Sequence, residues 1–367
     1  MTGGPRCGSA ADVVADVVRP EIRALSAYEV ARSEGLIKLD AMENPYALPE
    51  AVRSRLGHAL SRVAINRYPD GGAHAAKAAL ARALHIPSPL ALLLGNGSDE
   101  LIHLIALALA KPGATMLAPD PSFVMYRLDA LFAGMRFVPV SLKPDFRLDR
   151  DAMLTAIARE RPALVFLAYP NNPTGNLFDT TDVEAVIRAS PGLVVIDEAY
   201  YAFADASFLP RAAEFANVLV LRTVSKVGMA GIRLGYAVAA PEWITELNKL
   251  RQPYNVNAFT QAAAEALLAD TAWISQQAAA IREQRSRVGD ALAELPGTSV
   301  YPTQTNFVLV RVPDANRVFE GLKARRILVK NVQGWHPLLA NCLRITIGTS
   351  EENDALLSAL ASLVASS

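Results

Sequence analysis

Two cysteines, Cys7 and Cys342, are all that 367 residues contain. That count cannot build a disulfide framework and matches a reducing compartment. Histidine is scarce as well: His58, His74, His85, His103 and His336 include no HxxxH or HxH pair, so no metal site is expected. An excess of either charge is missing, since 36 Lys and Arg balance 36 Asp and Glu. The chain therefore offers no broad field to nucleic acid or to an anionic membrane. The richest apolar run, residues 101–110, contains His103 and is too short to span a bilayer. The opening MTGGPRCGSAADVVADVV is broken by Asp12 and Asp16 and lacks a signal core. These absences point to a cytoplasmic globular protein whose partner is a small molecule held by local charge.

What is present is alternation. Residues 1–45 read as an arm, broken at Pro20 and with one short helical stretch at 27–32, which is expected to pack on the small domain or on a partner subunit. From Pro49 onward, helix-like segments separate short apolar runs at 91–94, 115–118, 163–168, 193–197, 218–221 and 236–240. Runs apolar on both faces predict an α/β fold: a mostly parallel sheet between helices, forming a large domain over 46–255. Ligands of such sheets bind beyond the carboxyl ends of the strands. After residue 255, Ala-rich helical stretches to 295 precede TNFVLVRV, ANRVFEGLKARR and CLRITIGT, which read as a smaller α+β domain over 256–367.

Four strand ends carry polar residues. Gly95–Glu100 opens a helix, and Ser98 and Asp99 serve there either as ordinary N-caps or beside a bound phosphate. In YPNNPTG, Asn172 belongs either to a simple turn or to a ligand edge. Asp197 ends an apolar strand, where a carboxylate needs a cap to make or a cation to meet. Lys226 follows another strand in a Gly-rich segment with Arg233. A lone lysine is commonly surface charge, but a desolvated one suits Schiff-base chemistry. Taken together, the anion seat, amide, carboxylate and amine match the needs of a pyridine aldehyde phosphate.

YPNNPTG, VIDEAY and SKVGMAGIRLG resemble the cofactor motifs of fold-type I aminotransferases. LDAMENPY, NRYPDGG, GNGSDELI, LRTVSK and CLRITIGT resemble, more narrowly, the histidinol-phosphate aminotransferase family, from about Val18 to the final helix. The resemblance implies pyridoxal 5'-phosphate joined to Lys226, which also shuttles the proton. Asp197 is implied to pair with the ring nitrogen, and Asn172 and Tyr200 with the phenolic oxygen. Ser98, Asp99, Thr223, Ser225 and Arg233 are implied to surround the phosphate. Tyr68 is implied to reach the partner's site in a homodimer. Arg344 with Lys330 is implied to bind substrate anions, and Tyr28 and Asn44 to border the substrate. Three positions depart from the family's pattern. Phe123 stands where a stacking Tyr is common, Arg233 follows Lys226 by seven residues, one fewer than in many relatives, and Lys330 replaces a frequent Arg. The implied reaction moves the amino group of L-histidinol phosphate to 2-oxoglutarate, leaving imidazole-acetol phosphate and glutamate. An aromatic amino-acid aminotransferase and a threonine-phosphate decarboxylase are the alternatives on the same scaffold, and a non-catalytic sensor is disfavoured by the intact Lys226.

Overall fold

A computed structural model of the chain describes residues 9–27 and 30–365. Residues up to Glu34 form one compact unit and residues from Gly35 onward a second. In the first, Ser9 and Asp12 form a capping box that starts the helix Ala10–Val17, and Pro20 opens the short helix Pro20–Arg23. These start signals lie upstream of 27–32. The helix expected there is absent from its described part, because Ala27 and residues 30–32 have no regular structure. Tyr28 lies outside the described residues.

The second unit begins with β1 (Ile37–Lys38). A seven-stranded sheet follows, built from β2 (Ala91–Asn96), β3 (Thr115–Asp120), β4 (Arg136–Ser141), β5 (Leu164–Ala168), β6 (Leu193–Asp197), β7 (Val218–Thr223) and β8 (Leu234–Ala239). Its order is β2-β8-β7-β6-β5-β3-β4. Every neighbouring pair is parallel except those that β8 makes with β2 and β7. Strands β5 to β8 are buried along their whole length, as strands covered by helices on both faces must be. The sequence pattern did not anticipate β4. It is an edge strand that alternates exposed Arg136 with buried Val138 and Val140 and carries Pro139, so it lacks an unbroken apolar run.

The remaining strands are β9 (Ser299–Val300), β10 (Phe307–Arg311), β11 (Ile327–Leu328), β12 (Lys330–Asn331) and β13 (Cys342–Thr346). Four of them form an antiparallel sheet in the order β12-β13-β10-β9, and β1 pairs in parallel with β11. The helix Ala272–Ala293 passes between two cores. Trp273 packs with Leu267 and the large sheet's cluster, whereas Ile281, Val288 and Leu292 pack with β10, β13 and the helix Ser350–Ala365.

Strand direction places the site. β2, β3, β5, β6 and β7 deliver their carboxyl ends to one edge, and antiparallel β8 begins at that edge immediately after Arg233. Gly235 on β8 lies against the loop that follows β2, and a Cβ there would collide with the Gly97 backbone and Ser98 N. Gly235→Ala should therefore lower stability by about 1–3 kcal/mol. Because the displaced loop is the one expected from sequence to seat a phosphate, the variant should also weaken phosphate binding, with melting temperature and phosphate titration as the two readouts.

Candidate active site

Four buried strand residues, Leu193, Val194, Val195 and Ile196, carry Asp197 to the end of β6. Their burial, at about 1.5–3 kcal/mol for each large side chain, anchors a carboxylate that would otherwise be expelled toward water. Asp197 is buried itself. Its Oδ2 accepts from Tyr126 Oη at 2.7 Å and its Oδ1 from Ala199 N at 3.1 Å. Desolvation dominates these two bonds and raises its pKa to about 6. The neighbouring Glu198 is buried too, but it is consumed by structure. Arg222 donates to it through Nε at 2.9 Å and Nη2 at 2.8 Å, and Ser207 Oγ donates to it as well. Of the two adjacent acids, only Asp197 faces the cavity without a cation.

The two asparagines of YPNNPTG divide in the same way. Asn171 holds the loop: its Nδ2 donates to Pro121 O and Thr174 Oγ1, and its Oδ1 accepts from Ser122 Oγ. Asn172 accepts from Arg344 Nη1 through Oδ1 at 2.6 Å, which leaves its NH2 as the remaining donor group. Arg344 lies buried on β13, and its Nη2 donates to Asp40 O at 3.0 Å.

Lys226 stands in a short 3₁₀ turn after β7, partly buried, and its Nζ donates to Ala41 O at 3.3 Å. Burial, and then the nearby positive charge of Arg344, lowers its pKa to about 8. An amine of that basicity keeps roughly a fifth of its population neutral near pH 7.4, far more than an ordinary lysine, and the neutral form is the one that attacks a carbonyl. The expected anion seat is the start of the helix Ser98–Leu109, where Gly97 takes φ 84 and lies so close to Arg233 that a Cβ would stand 2.6 Å from its Nη2. Arg233 Nη2 also donates to Asp99 Oδ2 at 3.3 Å. Both partners are about half exposed, so this pair is weak and leaves the guanidinium available. Buried Thr223 and Ser225 add hydroxyls 2.9 Å apart.

One cavity of about 620 Å³, partly open to solvent, gathers Ser98, Asp99, Phe123, Asn172, Asp197, Tyr200, Thr223, Ser225, Lys226 and Arg233. Other expected residues stand apart from its walls. Arg344 touches the site through Asn172. Lys330 sits opposite Arg344 in the β12–β13 register, with its Nζ 5.7 Å from the Trp335 ring centre. Asn44 donates to Gln277 Oε1 and accepts from Tyr46 N. Tyr68 is 81% exposed and stacks on Tyr254, with ring centres 4.5 Å apart. Five wall residues, Met42, Tyr126, Ala168, Pro170 and Ala199, were not among those expected from the sequence, and two of them reach expected residues through their side chains. Tyr126, three residues after Phe123 in the first turn of the helix Val124–Phe132, stacks on Phe166 and points its hydroxyl at Asp197. Met42, within the LDAMENPY motif but given no role of its own from sequence, lines the cavity beside Tyr200. Among the described residues no cluster of ligating side chains suits a metal ion.

Fold and cavity together define a fold-type I aminotransferase, and a family model described as aminotransferase class I and II matches residues 34–360. A histidinol-phosphate aminotransferase of Ralstonia nicotianae is 54% identical over 355 residues, covering 95% of each chain. Another, from Cupriavidus pinatubonensis, is 53% identical over 350 residues, covering 94% of this chain and 96% of its own. The crystal structure of histidinol-phosphate aminotransferase from Sinorhizobium meliloti in complex with pyridoxal-5'-phosphate superposes with a TM-score of 0.84 at 29% identity, covering 95% of this chain and 97% of that one. The chain belongs to the histidinol-phosphate aminotransferase family.

The lone carboxylate has a measurable consequence. A carboxyl whose folded pKa lies above its unfolded value favours the protonated form, so the ligand-free protein loses stability as pH rises from about 4 to about 6. At neutral pH the loss is about 3 kcal/mol. Asp197→Asn should thus melt higher than the parent protein without cofactor at about pH 7.5, and the difference should shrink near pH 4.5. The same variant should forfeit most of the stabilisation that added pyridoxal phosphate confers.

Proposed function

We propose that the chain uses pyridoxal phosphate to transfer the amino group of L-histidinol phosphate to 2-oxoglutarate, forming imidazole-acetol phosphate and glutamate. The observation that carries the chemistry is the meeting of an uncompensated buried carboxylate, Asp197, with a lysine of lowered basicity, Lys226, in one cavity that also holds an anion seat. The substrate reading is supported by relatives at 53–54% identity over nearly the full length.

The residues fit the cofactor group by group. Asp197 would face the protonated ring nitrogen, gaining the positive partner that its burial demands. The free NH2 of Asn172 and the hydroxyl of Tyr200 would donate to the phenolic oxygen. Phe123 would lie against the ring. The helix N-terminus at Ser98, with Thr223, Ser225 and Arg233, would hold the phosphate. When bound, the cofactor supplies an electron sink for the carbon that loses its proton. Lys226 would hold the cofactor's carbon and then carry the proton between that carbon and the substrate's Cα. Arg344 and Lys330, on adjacent strands, would receive the phosphate of one substrate and the distal carboxylate of the other in turn. Tyr68 would complete the anion seat of a second copy in a homodimer, which accounts for an exposed aromatic stack outside its own cavity. No helix among the described residues is long and apolar enough to cross a membrane.

The test is the visible spectrum of the purified holoenzyme. L-histidinol phosphate should bleach the cofactor's band and 2-oxoglutarate should restore it. A band indifferent to histidinol phosphate but bleached by phenylalanine, or carbon dioxide release from threonine phosphate, would move the assignment to one of the two alternatives. Lys226→Ala should lose activity by about 10²–10⁴-fold or more and should no longer be trapped by borohydride. Capture of pyridoxal phosphate by the ligand-free protein needs the neutral amine, so its rate should climb as pH passes through about 8 and level above it. Arg344→Gln removes a positive neighbour and should move that climb to higher pH.

A further inference from the structure

The turn around Met42 is tied to the site at successive residues. Arg344 Nη2 donates to Asp40 O at 3.0 Å, Lys226 Nζ to Ala41 O at 3.3 Å, and Asn306 Nδ2 to Met42 O at 2.9 Å. Met42 N in turn donates to Thr346 Oγ1 at 2.9 Å. Asn306 and Thr346 are both buried. Met42 stands at φ 54, in the left-handed region that long side chains rarely enter. Its two backbone bonds, to Asn306 and Thr346, hold it there. The result is that its side chain enters the cavity, where Tyr200 Oη donates to Met42 Sδ at 3.1 Å.

We infer that Met42 keeps Tyr200 available to the cofactor: its thioether, a weak acceptor, takes the Tyr200 hydroxyl proton in the ligand-free cavity and yields it to the cofactor's phenolic oxygen. This rests on the role of Tyr200 proposed above. Tyr200 has a single hydroxyl proton to give. A thioether is a weak acceptor and an anionic phenolic oxygen a strong one, so the proton turns to the cofactor when it arrives. A stronger acceptor at residue 42 would compete for that proton, whereas an aliphatic side chain would leave it to the cofactor. With the cofactor bound, donation from Tyr200 would draw charge off the phenolic oxygen and so lower the pH at which the Lys226 nitrogen beside it gives up its proton. The cofactor's visible band therefore changes at a lower pH when Tyr200 donates fully.

The experiment is the pH midpoint of that band in holoenzyme carrying Met42→Gln, Met42→Leu or Tyr200→Phe. Tyr200→Phe should raise the midpoint by about one pH unit, Met42→Gln by about half as much or more, and Met42→Leu by less than about 0.2. A Met42→Gln midpoint equal to the parent's, alongside a shifted Tyr200→Phe, overturns the role of Met42 and leaves that of Tyr200 standing. Equal shifts from Gln and Leu also overturn it, because packing rather than acceptor strength would then be at work. An unshifted Tyr200→Phe removes the Tyr200 reading itself, and the Met42 inference with it. Where Met42→Gln does not retain enough cofactor to titrate, the rise in melting temperature on adding pyridoxal phosphate is read instead. Leu at least equal to the parent and Gln clearly below it supports the inference, and equal rises defeat it.

Discussion

The site is organised around one unneutralised charge, the carboxylate of Asp197 at the end of a strand with no exposed side chain. Burial strips most of its solvent contact, and the hydroxyl of Tyr126 and the amide of Ala199 only partly compensate. Low dielectric makes such a group sensitive to any cation that enters the cavity. The adjacent Glu198 shows the alternative fate of a buried acid, locked to Arg222 and so silent toward a ligand. One residue step along the chain turns a side chain from one face of the strand to the other, and that step separates structure from chemistry.

A second set of bonds joins the two sheets at the cavity. Arg344, on the smaller sheet, grips Asn172 and the Asp40 carbonyl, while Lys226, in the turn that follows β7 of the larger sheet, reaches the next carbonyl, that of Ala41. Arg344 also helps to lower the basicity of Lys226. A group proposed to bind substrate anions thus acts electrostatically on the group proposed to hold the cofactor, so occupancy by an anion would alter both.

Strand and motif order were legible because they depend on local pattern. Unbroken apolar runs marked β5, β6 and β7, and at or shortly beyond their ends stand Tyr169–Gly175, Asp197 and Lys226, which parallel strand direction must bring to one edge. The β4 strand was invisible because an edge strand needs no continuous apolar face, and the described part of 27–32 lacks the start signals that open the helices at Ser9 and Pro20. Tyr126 was hidden because a tyrosine in an apolar helix reads as packing until its hydroxyl is seen to have a carboxylate to meet.

The sequence by itself determined the α/β class, the residue types at four strand ends and their order, since these follow from hydrophobic period and turn chemistry that act over a few residues. Only the tertiary structure decided which of Asp197 and Glu198 is free, which of Asn171 and Asn172 holds the loop, and that Met42 enters the cavity. Those choices hang on partners 24 to 172 residues away along the chain, such as Arg222 for Glu198 and Arg344 for Asn172. No local pattern encodes such pairs, because they form only when the strands that carry them are packed together.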